Sequence, residues 1–181
     1  MICLHGYKAT ELIFLSITTN NNGMLVVFTV SFFGHREIIN YREAEQRVAK
    51  LVRCLIREHE YVEFLVGRDG DFDQIVSSEV RRAKEEVFNA NSSLIWVMPY
   101  DKAEYKHNRA SFDAYYDEIE VCPESQGEYP KAAIQIRNRS MVDRSDLIVF
   151  YVSHQSGGAY QTMQYAQRVG KQIQNLAASC D

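Results

Sequence analysis

No apolar run in this 181-residue sequence approaches the length of a bilayer span, so no transmembrane helix is expected. No Cys-x-x-C pair occurs either. The cysteines, Cys3, Cys54, Cys122 and Cys180, are far apart and show no metal-ligand spacing. That usage fits a reducing cytoplasm, and Cys54, lying in a helical pattern, reads as a buried apolar residue. Excess positive charge is missing: the net charge is −4, which argues against nucleic acid and against an anionic membrane as partners. There is no internal repeat and no low-complexity tract. The apolar stretch Leu12–Ile17 (LIFLSI) is short, lacks a basic leader and is followed by TTNNNG, so it reads as no export signal.

Several signature motifs are absent as well. GRDGDF, which begins at Gly67, is not G-x-G-x-x-G, and no G-x-x-x-x-G-K-[ST] occurs. Asp69, Asp71 and Asp73 have the spacing that opens a calcium loop. The sixth position, however, is Gln74 rather than Gly, and the twelfth is Val80 rather than Glu. His154-x-Ser156-x-Gly158 lacks the leading Gly of a nucleophile elbow. No cofactor and no metal are expected, and His35 and His154 read as hydrogen-bonding groups.

What is present is an alternation. Leu25–Phe33 (LVVFTVSFF) is almost continuously apolar, as in a strand covered on both faces. A helix is expected over Tyr41–Glu58, with Val48, Leu51, Val52 and Leu55 on one face. Tyr61–Val66 is a second strand. The next helix starts near Asp71, where Asp71 and Gln74 resemble a capping box. Ser93–Met98 is a third strand. Residues 100–130 are acidic and Tyr-rich, with a short edge strand at Glu118–Cys122 and otherwise loop. A helix from Pro130 to Asp143, a strand Asp146–Val152, a helix Ala159–Val169 and a short strand Gln172–Leu176 complete the chain. Strand–helix alternation points to an α/β fold: a Rossmann-like three-layer sandwich with a mainly parallel sheet flanked by helices. Thr18–Gly23 reads as a linker. The chain thus divides into an N-terminal extension, residues 1–23, and a single domain, residues 24–181.

In such folds ligands gather at the carboxyl ends of the strands. Gly34, Gly67, Gly70, Gly157 and Gly158 all fall just after expected strands, together with His35, Arg36, Arg68, Asp69, His154, Gln155 and Ser156. That edge is the candidate site. Ser156-Gly157-Gly158 opens a helix, so bare amides and the helix dipole would suit a phosphate, with Ser156 as the cap. A tight turn packed on a neighbouring strand is the competing reading, and the residues alone leave both open. Arg137 and Arg139 lie on the preceding helix; Arg suits bidentate phosphate contacts. Arg139 has an ordinary alternative, a surface pair with Asp143 four residues on.

SFFGHRE after the first strand, VGRDGDFD after the second, IRNRSMVDRSDLIVFYV and SGGAYQT together resemble the SLOG superfamily, most of all its YpsA-like group. The resemblance runs from about Val26 to Ala177 and lies in the order of the motifs. It implies a Rossmann-like fold and a nucleotide or nucleotide-derived ligand. The superfamily includes the Lonely Guy phosphoribohydrolases and DNA-processing protein A. Phosphoribohydrolases carry an Arg on the helix before a P-G-G-x-G-T-x-x-E turn. Arg137 falls at that Arg, and Gly157 and Gly158 match the phosphate-holding glycines. Ser156 replaces Pro, Tyr160 the third Gly, Gln161 the Thr and Gln164 the catalytic Glu. A Gln cannot exchange a proton as a carboxylate does.

The expectation is therefore a cytoplasmic module binding a nucleotide or nucleotide-like small molecule, serving as a sensor or signalling domain. Phosphate would rest on Ser156, Gly157 and Gly158, aided by Arg137. Gly34 and Gly67 would let the ligand lie close to the sheet, with His35, Arg36, Asp69 and His154 around it. Two alternatives stay open: a phosphoribohydrolase-like enzyme drawing a carboxylate from Asp69 or Glu37, and a protein-interaction domain using Tyr105–Tyr129. A homo-oligomer is compatible with all three.

Overall fold

A computed structural model describes residues 25–87 and 91–177. The extension, residues 1–23, and the flanking Cys3 and Cys180 lie outside the described residues. Strands β1 (Val27–Gly34), β2 (Tyr61–Val66), β3 (Ser92–Met98), β4 (Glu118–Val121), β5 (Leu147–Tyr151) and β6 (Gln172–Asn175) form one sheet in the order β4-β3-β2-β1-β5-β6. Every neighbouring pair is parallel. The expected α/β class and parallel sheet hold.

The strands bury both faces. Along β1, Val30 and Phe32 join one apolar cluster and Phe33 the other; along β5, Leu147 and Val149 alternate with Ile148 and Phe150 in the same way. This is the period of two, read on a strand covered twice. Helices α1 (Tyr41–Glu58) and α2 (Asp71–Val87) cover the first face, and α5 (Pro130–Arg144) and α6 (Gly157–Arg168) the second. The α1 face is set by Ala44, Val48, Val52 and Leu55, all buried. Cys54 falls off that stripe. Contrary to the sequence reading it is exposed, and its thiol donates to Glu58 Oε1 at 3.0 Å.

Three further expectations change. The stretch 100–130 is not mostly loop: α3 (Ala103–His107), α4 (Arg109–Asp113) and a 3₁₀ turn (Pro123–Ser125) flank β4. Tyr105, Phe112 and Tyr116 close around Trp96, with Phe112 at 5.0 Å and Tyr116 at 5.4 Å between ring centroids. Aromatic side chains lacking helical period here build a satellite core over the β3 edge, so they turn inward rather than form an outer contact surface. Tyr129 is the exception at 85% exposed. The capping box at Asp71 is also not made. Asp71 is the first helical residue, and its carboxylate accepts from Ile38 N at 3.1 Å, tying α2 to the β1–α1 loop. Finally, Arg139 and Asp143 do not pair. Arg139 lies 5.4 Å from the Tyr165 ring centroid, and the Tyr165 hydroxyl donates to Asp143 at 2.8 Å.

Strand order reverses direction beside β1. From β1 the chain winds outward through β2, β3 and β4, then returns to place β5 on the other side of β1. The loops after β1 and β5 therefore lead to helices on opposite faces and part from each other, which opens a crevice at the carboxyl ends of these two strands.

Candidate functional site

That crevice is a cleft of about 600 Å³. The β1 end supplies Gly34, His35 and Arg36, the β2 end supplies Gly67 and Asp69, and the β5–α6 junction supplies His154, Gly157 and Gly158. Arg137 and Lys131 enter from α5. Of the residues expected at this edge, Arg68, Gln155 and Ser156 are not part of the lining: the Arg68 guanidinium lies over the Trp96 and Phe112 rings, and Ser156 is the N-cap residue of α6, with extended backbone.

The glycines at the β5–α6 junction are open. Gly157 has φ +87°, a conformation that L side chains rarely adopt. A Cβ placed on Gly157 or Gly158 would meet nothing within 4 Å. The first amides of any helix lack intrahelical partners. Here the Ser156 hydroxyl makes no capping bond; it is 2.9 Å from His154 Nδ1 instead. The expected side-chain cap is therefore missing, because the neighbouring imidazole holds the hydroxyl.

The other strand-end glycines have different causes. A Cβ on Gly34 would lie 2.4 Å from the Phe72 ring, and one on Gly67 would lie 2.8 Å from Arg137 Nη1. A Cβ on Gly70 would lie 2.6 Å from Arg36 Cα. Their missing side chains make room for protein rather than for a ligand.

Arg137 is 4% exposed. Its Nη1 donates to the Val97 carbonyl at 2.9 Å and its Nη2 to Asp69 Oδ2 at 2.9 Å. Its Nε is buried without a partner. The guanidinium thus forms part of the cleft floor, with its charge already matched by Asp69. Lys102, which sequence reasoning passed over, donates to the other Asp69 oxygen at 2.6 Å. Burial alone would push the Asp69 carboxyl up, but the Lys102 hydrogen bond and the Arg137 charge outweigh it and hold the group below its usual value.

At the cleft mouth the His35 and His154 rings stack, with centroids 3.6 Å apart and planes 6° from parallel. His35 Nε2 accepts from Ser153 N at 3.1 Å and His154 N at 3.4 Å, which places the ring proton on Nδ1. Burial and, second, the facing His154 lower the His35 pKa and keep the ring neutral. His35 thereby fastens the β1 loop to the β5 loop. Stacked rings do not converge their nitrogens, and among the described residues no group of three His, Cys, Asp or Glu is placed to hold a metal ion.

Arg36 and Lys131 are exposed cations in the lining, and neither forms an ion pair among the described residues. Glu37 adds one carboxylate at the rim. Gln161 faces the cleft, whereas Gln164 is exposed outside it. The arrangement can hold an anion on open amides, flanked by two free cations, above a floor of matched charge.

Together the fold and this cleft define a Rossmann-like α/β domain with an open crevice at its switch point. No family model and no curated protein matches the chain. Among solved structures it is similar to DNA processing protein A from Streptococcus pneumoniae (16% identity, TM-score 0.60, covering 81% of this chain and 49% of that one). It is also similar to DNA processing protein A from Helicobacter pylori, described for its single-stranded DNA binding mode (18% identity, TM-score 0.56, 81% of this chain and 63% of that one). TM1055 is a third (18% identity, TM-score 0.51, 81% of this chain and 72% of that one). The chain spans less than two thirds of either DNA processing protein. At such identities the shared property is the fold. No helix among the described residues is long and apolar enough to cross a membrane.

Proposed function

We infer that the cleft binds a nucleotide or nucleotide-derived ligand, with a phosphate on the amides of Gly157 and Gly158. The observation that carries this reading is the open space above those two glycines, at the N-terminus of α6 and at the sheet's switch point. Arg36 and Lys131 supply the charge that Arg137, already paired with Asp69, no longer offers. Similarity in fold to DNA processing protein A and TM1055 is compatible with a nucleotide-related role. With the motif order it supports placing the domain, residues 24–181, in the SLOG superfamily near its YpsA-like group. Cysteine usage supports a cytoplasmic setting.

The hydrolase reading is weaker, because Gln164, where that family has its catalytic Glu, is both an amide and outside the cleft. Thermal denaturation with a panel of nucleotides, and with a single-stranded DNA oligonucleotide alongside, tests the proposal. A bound nucleotide at about one hundred times its Kd stabilises by about 2.7 kcal/mol. The gain should vanish in Gly158→Asp, whose added carboxylate has room but repels phosphate. No gain from any nucleotide overturns the reading, and a gain from the oligonucleotide alone moves it to nucleic acid.

A further inference from the structure

The cleft floor holds two carboxyl groups and two cations, and the cations are shared unequally. Lys102 Nζ and Arg137 Nη2 both engage Asp69, one on each oxygen, at 2.6 and 2.9 Å. Asp73, in the first turn of α2, lines the same cleft and has neither cation. Its Oδ2 accepts from the Asp69 backbone amide at 2.8 Å, and its Oδ1 receives no hydrogen bond among the described residues. The Asp73 oxygens would lie 3.3 Å from a Cβ on Gly67, directly beside the Arg137 guanidinium. Asp73 makes no ion pair of its own among the described residues, so no direct counter-ion offsets its burial, which favours the protonated carboxyl. Burial, the dominant influence, pushes the Asp73 carboxyl up; the Asp69 amide and the Arg137 and Lys102 charges act in the opposite sense, and the Asp69 charge adds to the rise. A second polar group at the floor lacks a partner: the Nε of Arg137, a residue 4% exposed.

We propose that Asp73 is the specificity-determining residue of the cleft, carrying its proton on Oδ1 and donating it to a neutral acceptor of the ligand, a ring nitrogen or carbonyl oxygen of a base. This rests on the reading of the cleft as a nucleotide site. Phosphate and base are then read by separate chemistry: open amides at the α6 end, a neutral acid at the β2 end. The carboxyl works as a donor only while protonated, so affinity is flat at low pH and falls about tenfold per pH unit above the folded-state pKa. The charged and titratable groups around it are Asp69 on the loop preceding α2, Arg137 on α5 and Lys102 after β3, with His35, Arg36 and Glu37 from the β1 loop, His154 from the β5 loop and Lys131 of α5 lining the same cleft.

Calorimetric titration of the full chain between about pH 5 and pH 8 with adenosine, guanosine, cytidine and uridine 5′-monophosphates tests this, with ribose 5-phosphate as a probe that has the phosphate and no base. At least one nucleotide should weaken with rising pH relative to ribose 5-phosphate, which cancels the ionisation of the phosphate itself. Asp73→Asn keeps an acceptor for the Asp69 amide and a permanent donor for the ligand, so it should retain the low-pH affinity and lose the slope. Equal pH profiles for nucleotides and ribose 5-phosphate, or an unchanged slope in Asp73→Asn, overturn the role of Asp73 while leaving the nucleotide site intact. Binding of no probe at all overturns both. Carboxyl carbon NMR of the ligand-free protein is an independent check: Asp73 should titrate above Asp69, and the reverse order overturns the proposal.

Discussion

Two sets of glycines lie at the carboxyl edge of the sheet, and they are there for opposite reasons. Gly34 and Gly67 are filled from behind, by the Phe72 ring and the Arg137 guanidinium. Gly157 and Gly158 face empty space. The first set makes a rigid floor; the second leaves amides available. A glycine after a strand therefore indicates close approach without saying of what, and the atoms standing where its side chain would have been decide whether the position serves packing or binding.

The comparison can be broken experimentally. Asp69→Ala should have the largest effect, since it leaves Lys102 and Arg137 at the floor without their carboxylate. A destabilisation of about 3–5 kcal/mol is expected from denaturant midpoints, and a loss under about 1 kcal/mol would mean that the floor is not held by this cluster. Next comes the glycine pair itself. Gly34→Ala places a Cβ 2.4 Å from the Phe72 ring and should cost about 1–3 kcal/mol, whereas Gly158→Ala should stay within about 0.5 kcal/mol of wild type. Similar costs at both positions would erase the distinction. The smallest effect is electrostatic. The His35 pKa is lowered from 6.5, so its contribution to stability is complete above that value and is lost as pH falls below it through the folded-state pKa. His35→Phe keeps a ring against His154 without a titrating nitrogen. A stability–pH series on both proteins should show the decline below about pH 6.5 shrinking in the variant.

Much of this was legible beforehand. Apolar runs separated by amphipathic helices with the right stripes require a parallel sheet covered on both faces, and the residues expected at its carboxyl edge, apart from Arg68, Gln155 and Ser156, line a single cleft. The errors share a cause. Apolar character alone places Cys54 in the core, but its angular position on α1 lies outside the Val48–Val52–Leu55 stripe. The Tyr-rich segment reads as loop because its helices are five residues long, too short to show a period, and Trp96 organises them from another strand. Local sequence likewise does not show which carboxylate Arg137 meets; in the fold it pairs with Asp69.

The order of strands and helices, and the set of residues delivered to the carboxyl edge, follow from the sequence alone, because period and chain order are local properties carried by neighbouring residues. Which glycines are open, and which of Asp69 and Asp73 holds the counter-ions, was decided only in three dimensions. Arg137 reaches Asp69 across 68 residues of chain and Lys102 across 33. Charge matching and steric filling depend on distances of a few ångströms between such remote groups, and only the packed fold sets them.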